Sequence, residues 1–223
     1  MARRYRWLRA QWPISMKTLG RRLKAKEFQG EATHGFVIDR LRDDLLEARY
    51  VERVEYTETI TDPFGKELSF DRVEFRQSHF RATAYGAGLE IRDPPRSVQP
   101  LMNRLSEATD FAVTISPYSV DVLAWAAKFQ SSSGFSCHVE SLQMSDLQLE
   151  EGVVAKVVIK GDRDVRQACT KLAAHRRYLL ERIQLRLDVP KGGTIVLSNT
   201  GAATLSVDSS DEDILEHLRT GLL

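Results

Sequence analysis

Between residues 50 and 91 apolar and polar side chains alternate, and turn residues stand where the alternation stops. Tyr50, Val54, Tyr56 and Ile60 lie on one side of an extended chain, the pattern of a half-buried strand. Asp62-Pro63-Phe64-Gly65 follows, with proline suited to the second position of a type I turn and glycine to its end. Leu68 and Phe70 begin the return. The phase then moves to Val73 and Phe75, which predicts a β-bulge near Asp71. The run continues through Phe80 to Tyr85, Gly86 and Gly88 permit a second turn, and Leu89 with Ile91 marks a third strand. A two-residue period cannot present one apolar face on a helix, so this stretch commits the chain to an antiparallel meander.

Helical spacing flanks it. Met16, Leu19 and Leu23 predict a helix from Met16, weakened by Gly20. Phe36, Ile38, Leu41, Leu45 and Leu46 predict a second helix over residues 35–48. Pro94 and Pro95 end the meander. Ser97 is a candidate N-cap for a helix with Pro100 in its first turn and Leu101, Leu105 and Ala108 as its stripe. Phe111, Val113 and Ile115 read as a short strand. Ser116-Pro117 reads as a helix start, and the helix to Phe129 is apolar nearly all round, which places it in a core or at an interface.

Gln130–Gly134 is the best linker candidate. Strand signals return at Val139, Leu142, Leu147 and Leu149, then at Val153–Ile159 after a Glu150-Glu151-Gly152 turn. Asp162 or Asp164 caps a helix with Val165, Ala168, Cys169 and Leu172 inward. Ile183, Leu185, Leu187 and Val189 alternate, Pro190–Gly193 turns into Ile195–Leu197, and Asn199–Gly201 turns into Leu205 and Val207. Ser210 caps a last helix whose inward residues are Ile214, Leu215, Leu218 and Leu222. Helices and strands cluster, so the class is α+β: an antiparallel β-meander body packed with helices. The layout of residues 89–115 resembles that of 153–187, strand then helix then strand. The expected organisation is a basic arm and helix over 1–30 and two α+β subdomains of similar strand–helix–strand layout, over 31–130 and 131–223.

Charge is distributed unevenly. Residues 1–26 hold nine basic side chains and no acidic one, whereas the chain as a whole is only +1. The nine are Arg3, Arg4, Arg6, Arg9, Lys17, Arg21, Arg22, Lys24 and Lys26, interleaved early on with Tyr5, Trp7 and Trp12. Four of them precede Met16, a candidate alternative start. Guanidinium groups pair with phosphate oxygens through forked hydrogen bonds, and indole and phenol rings stack on bases. The competing reading is a basic segment docked on acids of its own chain or of a partner, with the aromatic residues as packing anchors. A second basic cluster comprises Lys171, His175, Arg176, Arg177 and Arg182.

No catalytic constellation competes with these clusters. The five histidines and two cysteines show neither HExxH nor CxxC spacing, and Cys137 and His138 on a strand would face opposite ways. There is no GxSxG elbow, no GKS/T phosphate loop and no Asp…Glu-x-Lys set. Neither metal nor cofactor is expected. The two unspaced cysteines fit a reducing, cytoplasmic setting. No apolar run reaches the roughly 18 residues that span a bilayer, and no apolar stretch follows the leading arginines as it would in a secretory signal.

The expected function is therefore non-catalytic nucleic-acid binding, phosphate contacts outweighing base contacts. The candidate contacts are Arg3, Arg4, Arg6, Trp7, Arg9, Trp12, Lys17, Arg21, Arg22, Lys24, Lys26, Arg176 and Arg177. The alternative is an accessory subunit, or a homo-oligomer, whose arm and helix 117–129 contact protein partners.

Overall fold

The computed structural model describes residues 2–188, 192–207 and 211–222. In chain order its elements begin with β1 (Arg3–Gln11), α1 (Met16–Lys24), β2 (His34–Leu41), β3 (Leu45–Thr61), β4 (Glu67–Thr83) and β5 (Gly88–Arg92). Then come α2 (Gln99–Ala108), β6 (Thr114–Pro117), α3 (Val122–Ser133), β7 (Cys137–Glu150) and β8 (Val153–Lys160). The last are α4 (Arg166–Ala173), β9 (Leu179–Leu187), β10 (Thr194–Ser198), β11 (Ala202–Ser206) and α5 (Asp211–Leu222). The chain is α+β and its main ladders are antiparallel. It packs as two compact units, one of Met1–Ala10, Tyr85–Asp93 and Ile115–Leu223, the other of Gln11–Ala84 and Pro94–Thr114.

In the first unit the strand order is β5-β1-β11-β10-β9-β7-β8, with β6 paired to β1. One face of this sheet carries the core. Tyr5, Ala203, Leu197, Ile183 and Leu142 are successive cross-strand partners, and all are buried. Helix α3 packs on β9 and β10 and against α5, while α4 packs on β7. Trp7 meets Trp125 of α3 edge-on at 5.7 Å between ring centroids. The inward residues expected of the last helix, Ile214, Leu215, Leu218 and Leu222, are buried in this core.

In the second unit α1 packs on β2, β3 and α2. It starts at Met16 as its spacing demands, because the Ser15 hydroxyl accepts the Thr18 N–H and Met16, Leu19 and Leu23 are buried. Residues 35–48 are not a helix. Val37 and Ile38 favour extended chain, Phe36 and Ile38 also fit a two-residue period, and the segment folds as β2, a turn closed by Arg42 N–H to Leu45 C=O (2.7 Å), and the start of β3. Gly35 is required there: a Cβ would lie 2.5 Å from the Phe28 backbone, where Glu27 bridges to Phe36.

The β3–β4 hairpin bears out the turn at Asp62–Gly65, closed by Gly65 N–H to Asp62 C=O at 3.0 Å. Its ladder runs without a register shift from Leu45↔Thr83 to Thr61↔Glu67, so there is no bulge at Asp71. The change of phase has another cause: apolar residues occupy both faces of the outer hairpin.

Further differences concern starts and stops. Ser116 and Pro117 end β6, and α3 begins at Val122 because the Asp121 carboxylate caps the amides of Leu123 (2.9 Å) and Ala124 (3.2 Å). Gln130–Ser133, read as linker, are the last turn of α3, and Gly134 terminates it with φ of +66°. Phe111 is exposed with φ of +60° instead of lying in a strand. Asp164, not Asp162, serves α4, accepting the Arg166 N–H (3.0 Å). Val165, Cys169 and Ala173 form the buried side of α4, while Ala168 and Leu172, one position off that line, are exposed. The Ser210 cap, Val189 and the Pro190 end of the turn at 190–193 lie outside the described residues.

Candidate nucleic-acid interface

The other face of the first unit's sheet follows from the register. Antiparallel partners share a face, so from β1 to β8 the cross-strand rows that alternate with the core rows point away from this core, whereas on the β5 side Arg6 neighbours Ile91, which is buried. One such row is Arg6, Ala202, Ser198, Arg182, Gln143 and Val158. The next is Arg4, Thr204, Val196, Gln184, Ser141 and Lys160, and a third holds Ser206, Thr194, Arg186 and His138. None of these residues is buried. Strands stand about 4.8 Å apart, so Arg6 and Arg182 are separated by about 14 Å and Arg4 and Lys160 by about 24 Å.

The face is polar and basic. Arg4, Arg6, Arg182, Arg186, Lys156 and Lys160 stand against Glu140, Glu181 and Asp188. The carboxylates are engaged. Glu140 accepts from Arg186 at 2.9 Å and Gln184 at 2.8 Å, and the Arg186 hydrogen bond holds its pKa below the usual range. Lys156 lies 2.7 Å from Glu181, which also accepts from Gln143, and together they lower the Glu181 pKa to about 2. His138 sits 3.5 Å from Asp188. Beyond the backbone ladder, the side chains of Arg6 and Arg182 have no hydrogen-bond or ion-pair partner among the described residues. Their guanidinium donors are left for a ligand, and forked donors suit phosphate oxygens.

The structure distributes the residues expected in a basic arm. Residues 3–11 are not an arm but β1, hydrogen-bonded between β5 and β11. Arg4 and Arg6 reach the outer face. Tyr5 and Trp7 point into the core, and Trp7 is fully buried with its indole N–H on Glu90 at 2.8 Å, so it offers no ring for a base. Arg3 lies on the core side at the exposed end of β1. Arg9 lies over the Tyr118 ring, 5.0 Å from its centroid.

The other basic residues of 1–26 belong to the second unit, where Trp12 is half-buried. Lys17 pairs with Asp43 (2.7 Å), Arg22 with Asp110 (2.6 Å), Lys26 with Glu107 (3.6 Å) and Lys24 with Glu27. Arg21 is exposed. Most of the charge on α1 is thus met by acids of its own unit. Arg176 and Arg177 are exposed in the segment before β9, Arg176 donating to the Leu172 carbonyl at the end of α4 (3.4 Å).

Arg182 stood in the basic cluster read from sequence but not among the candidate contacts, and Arg186, Lys156 and Lys160 were in neither. Their signal was in the alternation. Once Ile183 and Leu185 face the core, Arg182, Gln184 and Arg186 must face away. The same rule hid in Arg4-Tyr5-Arg6-Trp7, where charge masked a strand.

Cys137 is half-buried on the core side of β7 and Cys169 is on the buried side of α4, and burial raises both thiol pKa values, which leaves them poor nucleophiles. Among the described residues no group of three His, Cys, Asp or Glu is placed to hold a metal ion, and no helix is long and apolar enough to cross a membrane. No protein-family model and no curated protein sequence matches the chain.

Proposed function

We propose that this protein binds nucleic acid, without catalysis, on the outer face of the sheet formed by β1, β11, β10, β9, β7 and β8. The observation that carries the reading is the pair Arg6 and Arg182, unpartnered among the described residues, on one row of a basic sheet face. Among the described residues that face holds no aromatic side chain except His138, so contacts go to phosphates and sequence preference is weak. Arg176 and Arg177 extend the positive surface at the start of β9. The partner is single-stranded or duplex nucleic acid, met in the cytoplasm, where free thiols such as Cys137 and Cys169 persist. The order strand, helix, strand recurs in β5-α2-β6 and β8-α4-β9, which supports a similar layout in two parts of the chain.

The test is fluorescence anisotropy with labelled single-stranded and duplex DNA and RNA oligonucleotides at low salt. Binding to at least one of them is expected, weakened by Arg6→Gln and Arg182→Gln. Absence of binding to all of them at low salt overturns the proposal.

The alternative role, an accessory subunit contacting partners through helix 117–129, finds little support in α3. Its large side chains, Trp125 and Phe129, are buried in the core of their own unit, and its exposed residues include Ala124, Ala127 and Lys128.

A further inference from the structure

The outer part of the β3–β4 hairpin is exposed on both faces. Strand β2 pairs with β3 only up to Glu52, so beyond Arg53 the hairpin is a two-stranded ribbon. Val54–Thr61 spans about 23 Å at the strand rise of about 3.3 Å per residue. Isolated two-stranded ribbons are marginally stable in water, and contiguous exposed apolar side chains mark contact surfaces. This ribbon has both properties. On one face Tyr56 (48% exposed), Ile60 (47%) and Phe70 (43%) lie together with half-buried Leu68, and Phe64 at the turn is 96% exposed. The Arg72 guanidinium lies over the Phe70 ring, 5.7 Å from its centroid, and pairs with Glu58.

Charge narrows the occupant. Residues 54–74 hold six acidic and two basic side chains, so the ribbon repels nucleic acid and repels another copy of itself. Its fit is a surface both apolar and basic. The chain carries one. On β8, Val154, Lys156, Val158 and Lys160 alternate onto one side of the sheet, with Val154 62% and Val158 61% exposed; Lys156 pairs with Glu181 at 2.7 Å, so the positive charge offered to the ribbon is that of Lys160. β8 is the edge strand of the first unit's sheet, and the strip from Val154 to Lys160 runs about 20 Å, close to the length of the ribbon. Lysines on β8 and acids on the ribbon guard both edges against strand addition, so the contact is face to face.

We infer that the hairpin of one copy docks on the β8 strip of a second copy. The contact is heterologous: each copy offers a hairpin to one neighbour and a strip to another, so association continues in a chain unless it closes into a ring. It is small, and so it is concentration-dependent, and its charged part is weakened by salt.

The test uses the full chain in sedimentation velocity with light scattering over a concentration series at low and high salt. The wild type is expected to associate progressively, less so at high salt. Tyr56→Ser with Phe70→Ser, and separately Val158→Ser with Lys160→Glu, should each weaken association about tenfold or more, as loss of central contact residues does. Circular dichroism confirms that each variant is folded. The decisive arm mixes the two variants, each with one intact surface, and the expected product is a heterodimer that grows no further. A wild type that stays monomeric throughout overturns the inference, as do variants that associate like the wild type. So does a mixture that forms no heterodimer.

Discussion

Trp7 donates its indole N–H to the Glu90 carboxylate across 2.8 Å, and Glu90 in turn holds Arg219 of α5 through two contacts, at 2.7 and 2.9 Å. Arg219 reaches Glu212 at 2.7 Å and Glu216 at 3.4 Å as well. Burial works against its charge, and the Glu90 and Glu212 carboxylates overcome this and raise its pKa. The network ties β1 and β5 to the last helix. A tryptophan in a basic segment, which by composition invites base stacking, is here a structural residue.

Truncating it should therefore cost stability. Trp7→Ala is expected to lower the unfolding free energy by about 3–5 kcal/mol, the usual cost of removing a buried indole. Trp7→Phe keeps much of the packing but orphans Glu90, at about 1–3 kcal/mol. Urea unfolding measures both. Oligonucleotide affinity of folded Trp7→Phe should match the wild type, and a loss of affinity there would return the ring to the ligand.

The carboxylate end of the network gives a second expectation. Glu90→Gln leaves the Arg219 guanidinium buried with only its two more exposed acids. Breaking a buried pair from one side costs about 3 kcal/mol or more. A midpoint in urea unchanged from wild type would contradict this placement of Glu90.

Glu181 provides a pH signature. Its carboxyl, held to about 2 by Lys156 and Gln143, ionises more readily in the folded chain than in the unfolded one, where it has its ordinary value of 4.5. A depressed folded pKa stabilises the fold above the unfolded pKa, and that contribution fades as pH falls from 4.5 toward 2. Glu181→Gln should thus be less stable than wild type near neutrality, and the two should converge on acidification. A difference independent of pH between 6 and 3 would show that the pair is not what Glu181 contributes.

The paired lysines of α1 and of the turn that follows it should be dispensable for binding. Lys17, Lys24 and Lys26 are paired to Asp43, Glu27 and Glu107 on the surface of the second unit. Surface pairs are worth about 0–1 kcal/mol, so Lys17→Gln and Lys26→Gln should change stability little. Oligonucleotide affinity should change less than with Arg6→Gln alone. The reverse ranking, read by anisotropy, would move the interface to α1.

Much of the sheet was legible, for a physical reason. Ile183, Leu185 and Leu187, or Val54 with Tyr56, repeat at the two-residue period of extended chain. Helices α1 and α5 were legible from their three- and four-residue stripes. Residues 35–48 misled because Phe36 and Ile38 fit both periods, and partners distant in sequence decided between them. Ser116-Pro117 misled because a proline after serine also ends a strand, and the Asp121 cap lay five residues on. The interface was half legible. Its charges were visible as a run at the N-terminus, yet a run in sequence is split by a strand into two faces. Arg4 and Arg6 went outward and Tyr5 and Trp7 inward. Arg182 and Arg186 joined them through register, which no local pattern encodes.

The most direct test of the interface is the salt dependence of oligonucleotide affinity for the wild type and for Arg6→Gln with Arg182→Gln. Each phosphate neutralised contributes about 0.7 to the slope of log affinity against log salt on a single strand and about 0.9 on a duplex. The double variant should lose two such contacts, lowering the slope by about 1.4 on a single strand or about 1.8 on a duplex, with its unfolding midpoint nearly unchanged. An identical slope in the two proteins would contradict the assignment of this face.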